Sequence, residues 1–210
     1  MAKPRIRGMK MRHKIGNTLI GIGVFLILIA TSLYLFNIFH EYEAGKNVKK
    51  YLPELKKQIE SNNTQCSGND NSSDGSETVL IDGMRFLGIL SVPSKELELP
   101  ILADYSYDML DTAPCRYSGS YDTNDMVIGG HNYSRHFSKL RSIKQGAEIN
   151  FTSNDGTVYK YRVLRVEILE PTQIYNLINK METNDWDLTL FTCTMSGETR
   201  CVIRCERQSD

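Results

Sequence analysis

Not one acidic residue falls within the first fourteen positions, and no charge of either sign lies between Asn17 and Phe39. The second absence excludes an ordinary surface segment. An uncharged apolar run of that length, rising about 1.5 Å per residue as a helix, can cross a hydrocarbon layer about 30 Å thick. The first absence leaves Lys3, Arg5, Arg7, Lys10, Arg12 and Lys14 as an unopposed basic block. By the positive-inside rule the N-terminus stays in the cytoplasm, and everything after about residue 40 is exported. A cleaved signal peptide fits less well, because apolar sequence continues past the small residues at 30–32 as far as Phe39. The chain also lacks net charge. Setting the six basic residues aside leaves 19 basic against 25 acidic, a net of −6, so the exported part is not a nucleic-acid binder by charge. There is no internal repeat, which excludes a solenoid. Finally, an even number of cysteines is lacking. An exported chain invites disulfides, but five cysteines leave at least one thiol free. Cys201 and Cys205 lie on one face of an expected strand about 13 Å apart and cannot bond to each other. They read as buried thiols.

What is present divides the chain into five parts. Residues 1–16 form a basic cytoplasmic tail and 17–39 a transmembrane anchor. Residues 40–60 read as a helical stalk interrupted near Pro53, with Leu52, Leu55 and Ile59 at helical spacing. Residues 61–78, rich in Ser, Asn, Gly and Asp, read as a flexible linker. Residues 79–210 form the folded domain. Nothing before residue 79 offers a catalytic candidate that the domain lacks, so 1–78 should be dispensable for chemistry in solution. Within the domain, strands are expected at 86–92, 126–128, 148–151, 158–169, 188–192 and 200–205. "SNDGT" at 153–157 reads as a hairpin turn. "SRHFSKLRSI" and "TQIYNLINKM" read as short helices. Many short strands with few helices indicate a mainly β, closed or nearly closed barrel.

The chemistry concentrates in "LTLFTCTMSGETRCVIRCER", Leu188 to Arg207. Six residues separate Cys193, at the end of one expected strand, from Arg200, at the start of the next. So short a connection favours an antiparallel hairpin that sets Arg200 beside Cys193. A fixed guanidinium favours thiolate over thiol. Arg204 shares that face but lies about 13 Å further along. Amide cleavage by a thiol also needs a proton donor for the departing amine, which histidine supplies near neutral pH. His131 follows an expected strand and the Gly129–Gly130 pair, where glycine would permit close approach of a substrate. His136 falls in the expected helix with a solvated side chain. His131 is therefore the candidate.

With these residues in view, the chain resembles the sortase family. "TLFTC" at 189–193, with an arginine opening the next strand, is similar to the family's cysteine signature. "GGHNY" at 129–133 is similar to its histidine region, and "GILSVPSKELELPI", "FSKLRSIKQGAEINF" and "YKYRVLRVEILEP" extend the likeness over about 84–206. The resemblance implies a closed eight-stranded β-barrel with short helices behind the N-terminal transmembrane helix. It implies a cysteine transpeptidase of Gram-positive cell surfaces. Cys193 would attack the Thr–Gly carbonyl of an LPXTG-like sorting signal, His131 would exchange the proton with the amines, and Arg200 would hold the backbone and oxyanion. Thr192 would help line the substrate site. The partners implied are surface proteins bearing the signal, and an acceptor amine of peptidoglycan precursor or a pilin lysine. No cofactor and no metal are implied. The stretch from Glu170 to Trp186 is too short for a long helical insertion, and residues 105–119 lack the aspartate-aromatic lid motif of pilin-polymerising members.

Other readings fit less well. A papain-like peptidase places Cys before His, at a helix N-terminus. A chymotrypsin-like cysteine protease carries a Gly-rich stretch at its nucleophile. An L,D-transpeptidase has a Ser-His-Gly-Cys context. Zinc held by Cys193, Cys201 and Cys205 would need an unfamiliar ligand spacing. A cell-surface cysteine peptidase, or a non-catalytic membrane-tethered binding domain on the same barrel, remain as alternatives.

Overall fold

The computed structural model describes residues 7–65, 78–180 and 185–209. The protein divides into two compact units, Met1–His40 and Glu41–Asp210, and helix α1 (Arg7–Gln65) contributes to both. In the first unit, Gly16–Phe36 has a mean hydropathy of 2.5 and is long and apolar enough to cross a membrane. Leu19, Phe25, Ile27 and Leu33 on it are exposed.

The second unit is built on one sheet. Its strands are β1 (Val79–Ile81), β2 (Met84–Val92), β3 (Leu97–Leu102), β4 (Cys115–Ser118), β5 (Met126–Gly129), β6 (Glu148–Ser153), β7 (Val158–Leu169), β8 (Leu188–Cys193) and β9 (Arg200–Arg207). The order is β1-β2-β3-β4-β5-β8-β9-β7-β6, and β6 returns to pair with β2. The ring from β2 to β6 is therefore a closed eight-stranded barrel, with β1 as a short hairpin partner of β2. Closure leaves the ring without the edge strands that an open sheet must protect. All neighbours are antiparallel except β3–β4 and β5–β8. Gly88 sits where the β2–β3 register shifts, and a Cβ there would come within 2.2 Å of the Thr152 carbonyl oxygen. Only glycine lets β2 and β6 approach that closely.

Side chains alternate between two environments, as strand geometry requires. Leu188, Leu190, Cys201, Ile203 and Cys205 point into the barrel with Phe137, Leu140 and Phe151. Phe191 and Val202 point outward into a second cluster with Val127, Leu169, Leu177 and Trp186. A third cluster lies outside β1–β3, formed with the C-terminal part of α1.

There the expected stalk is corrected. Tyr51, Leu55 and Ile59 are buried against Ile81, Phe86, Ile89 and Leu102. Lys50 pairs with Asp82 at 2.6 Å, Lys56 with Glu98 at 2.7 Å, and Asn62 donates to the Asn154 carbonyl. Residues 41–65 thus belong to the folded domain. Nor does Pro53 interrupt the helix. Proline forfeits one helical hydrogen bond, but Pro53 faces solvent while the buried stripe holds the turns on either side. The first five residues of the expected linker, 61–65, continue the helix; 66–77 lie outside the described residues.

Two short helices complete the unit, α2 (Tyr107–Leu110), N-capped by the Ser106 hydroxyl, and α3 (Tyr175–Ile178). The expected helix at 134–143 is instead a 3-10 segment, Phe137–Ser142, whose Phe137 and Leu140 are buried in the barrel core. Apolar residues three apart face one way in a 3-10 turn, so the pattern does not distinguish the two helix types.

Candidate active site

The β8–β9 register places Cys193 directly opposite Arg200. The connecting turn, 194–199, is held by Thr194 N–H donating to Thr199 O at 3.0 Å and Gly197 N–H to Thr194 O at 3.1 Å. Both residues take the outward face shared by Phe191 and Val202. The Arg200 Nη1 donates to the carbonyls of Gly197 (3.1 Å) and Thr199 (3.2 Å), which fixes the fork on its own turn. Its Nε and Nη2 have no protein acceptor among the described residues. Cys193 is half-buried, whereas Cys115, Cys201 and Cys205 are buried. Burial pushes the Cys115 thiol up to about 12 and also raises Cys201 and Cys205, holding these three as thiols.

His131 reaches the same end of the barrel through the parallel pair. Gly129 is in register with Phe191, and Gly130 N–H donates to Phe191 O at 3.1 Å. Parallel neighbours leave the sheet at one end, so His131 and Cys193 each stand two residues beyond a paired position. A further bond ties the two exits, Asn132 Nδ2 donating to Thr194 O at 3.3 Å. The Gly129–Gly130 pair has a purpose other than the one expected. A Cβ on Gly129 would lie 2.6 Å from the Phe191 ring, and one on Gly130 would lie 2.7 Å from Phe137. The pair admits the protein's own aromatic rings.

Several neighbours of His131 and Arg200 were not anticipated. His131 Nε2 lies 3.3 Å from Asp111 Oδ1, and the Tyr133 hydroxyl donates to the same oxygen at 3.3 Å. Tyr105, Tyr117 and Phe191 form an edge-to-face series with centroids 4.9 and 5.5 Å apart. Burial raises the Tyr105 hydroxyl's pKa, with Tyr107 and Tyr117 adding to it and the nearby Arg200 charge opposing. Asp111 and Tyr105 come from the connection between β3 and β4, whose sequence has no periodic pattern to flag them.

Three other positions differ from their sequence reading or complete it. Thr192, expected to line the substrate site, is 1% exposed, in register with Cys201 on the inward face, and its hydroxyl has no hydrogen-bond partner. Strand alternation turns its side chain away from Cys193. His136 is fully buried rather than solvated, as the N-cap of a 3-10 segment whose Phe137 and Leu140 pack into the barrel core. Arg204, also expected to lie away from the reacting centre, is 3% exposed and committed elsewhere. It donates to Glu167 Oε1 (2.8 Å), Thr189 Oγ1 (2.8 Å), and the carbonyls of Leu177 (3.0 Å) and Asn176, and it lies over the Trp186 ring.

Comparison with known proteins places this geometry in context. A family model described as a sortase domain matches residues 90–208. No curated protein matches the chain. Among solved structures, the fold is similar to sortase C of Streptococcus pneumoniae, with a TM-score of 0.56, 19% identity, and coverage of 78% of this chain and 96% of that one. It is similar to the sortase D5 transpeptidase of Clostridium perfringens, with a TM-score of 0.54, 15% identity, and coverage of 78% and 97%. Sortase C of Clostridium perfringens, solved with the C-terminal cell wall sorting motif, gives a TM-score of 0.52 at 20% identity, covering 77% and 91%.

Proposed function

The chain belongs to the sortase family, and from that premise we propose that it is a membrane-anchored cysteine transpeptidase with Cys193 as nucleophile, His131 as acid and base, and Arg200 as oxyanion donor. Its substrates are surface proteins ending in an LPXTG-like sorting signal. The acceptor is an amine of peptidoglycan precursor or a pilin lysine. Residues 17–39 hold the chain in the cytoplasmic membrane, with the basic tail inside and the barrel outside.

The chemistry runs in two balanced steps. The Cys193 thiolate adds to the carbonyl carbon of the signal's threonine, and the electron pair moves to oxygen. Arg200, held by its own turn, donates to that oxyanion, the role of a preorganised donor. The C–N bond breaks, and His131 gives its proton to the departing glycine amine. A thioester on Cys193 remains. In the second step the acceptor amine adds to the thioester, His131 takes its proton, and the C–S bond breaks to give a new amide and the free thiolate. Thr192 contributes through the position of its backbone, since its side chain turns inward.

The observation that carries the reading is the Cys193–Arg200 register, joined to the His131 exit by the Asn132–Thr194 bond. The test incubates the full chain in detergent with LPXTG-like peptides and amines, read by mass spectrometry. A thioacyl adduct on Cys193 and an amine-capped product are expected. Turnover by the Cys193→Ala protein would refute the mechanism. Hydrolysis without amine capture would make it a peptidase, and inertness towards every peptide a binding domain.

A further inference from the structure

Asp111 stands where a third member of the Cys193–His131 pair would stand. Its carboxylate oxygen Oδ1 is 3.3 Å from His131 Nε2. The same oxygen accepts the Tyr133 hydroxyl at 3.3 Å, from two residues along the histidine's own loop. The carboxylate is built into the fold rather than hanging from a free loop. Asp111 is the C-cap of α2, its backbone N–H bonded to Met109 O. The next two residues donate to the same carbonyl, and Ala113 and Cys115 are buried beyond them. A side chain fixed at both its backbone and its oxygen can orient a ring.

We propose that Asp111 is a positioning residue for the transfer reaction: it fixes His131 in the Nε2–H tautomer, so that proton exchange with thiol and amines runs through Nδ1. This rests on the assignment of His131 as acid and base. A neutral imidazole carries its proton on one nitrogen only, and the hydrogen bond made there decides which nitrogen is left as base. A carboxylate can only accept, so it holds the proton on Nε2. An amide in the same place can turn its NH₂ toward the ring, which then takes its proton on Nδ1, the wrong side for the reaction. While His131 is imidazolium, before the first step and again after the second, Asp111 also offsets its charge. Asp111 is half exposed, so the charge effect is screened and orientation is the larger part.

The experiment uses the full chain in detergent, labelled with ¹⁵N-histidine, with the His131 signals identified by their loss in His131→Gln. Asp111→Asn is nearly isosteric and leaves the α2 cap intact. The expected results are a fall in kcat of about tenfold to a hundredfold with KM within about twofold, and a change of the neutral ring from Nε2–H toward Nδ1–H. Asp111→Glu should retain the Nε2–H tautomer and part of the rate, and Tyr133→Phe should weaken both effects. An Asp111→Asn protein whose His131 nitrogens keep their shifts overturns the proposal, whatever happens to the rate. So does one that changes tautomer yet keeps wild-type kcat. The nitrogen shifts are read without turnover, whereas failure of the transpeptidase reading would appear as activity surviving in Cys193→Ala or His131→Gln.

Discussion

At the scale of single residues, strand alternation separates positions that adjoin in sequence. Cys193 and Thr192 are neighbours, yet one faces the site and the other the barrel interior. Thr192→Val should therefore keep kcat/KM within about threefold. Removing a buried hydroxyl that has no partner should also raise stability by about 1 kcal/mol, read as a urea midpoint. A loss of substrate affinity would restore Thr192 to the binding surface. Arg200 behaves oppositely. Losing a preorganised oxyanion donor costs roughly 10²–10³ in rate, so Arg200→Ala should lose about that in kcat/KM. Arg200→Lys should recover little, because an ammonium cannot donate to the turn carbonyls and the substrate with one planar fork. The buried thiols make a different prediction. Burial raises Cys115 from its ordinary 9.0 to about 12 and raises Cys201 and Cys205 in the same direction. Between pH 9 and about 12 the unfolded chain loses these protons while the folded chain keeps them. Stability is thus fully present below pH 9 and declines through that window. Denaturant midpoints in Cys115→Ala should show a shallower decline than in the parent chain.

At the scale of elements, the alternation in "YKYRVLRVEIL" and in the two strands around Cys193 was enough to find β7, β8 and β9. The six-residue connection was enough to set the β8–β9 register. β3 escaped because Pro100 sits inside it, and β1 and β4 because three or four residues carry no readable period. The candidates were legible because Cys193 ends a strand, Arg200 opens one, and His131 follows one across a glycine pair. Asp111 was not, because its relation to His131 exists only after β4 and β5 pair. Arg204 shows what sequence distance hides. It was legible as remote from the reacting carbonyl, but not as the clamp of the β7–β8 connection. One guanidinium holds two carbonyls within α3, a carboxylate on β7 and a hydroxyl on β8. Arg204→Ala leaves all four without their donor, and should lower stability by about 3 kcal/mol in equilibrium unfolding. With the fold intact at low temperature, its kcat should stay within tenfold of wild type. A larger loss of kcat in folded protein would give Arg204 a part in the chemistry.

At the scale of the whole molecule, the domain begins some forty residues earlier than composition suggests. The polar run after residue 60 marks a change of character in the sequence, but the packing boundary between the two units falls at His40. Tyr51, Leu55 and Ile59 each bury a large side chain, worth about 1.5–3 kcal/mol apiece. Together they rival the net stability of a typical domain, about 5–15 kcal/mol. A chain beginning at Glu41 should therefore melt cooperatively. One beginning at Val79 should melt at least 15 °C lower or fail to fold, by circular dichroism. Equal melting temperatures would return residues 41–65 to the status of a stalk.

The same packing changes what a cut in the backbone would do. The polar stretch between Gln65 and Thr78 is bracketed on both sides by parts of one unit, α1 before it and β1 after it. It joins two pieces that already hold each other through the buried stripe and two ion pairs. A protease that severs it would not shed the barrel from its N-terminal segment. The two fragments would stay associated and travel together on a sizing column, and separate expression of the two halves could reconstitute the whole.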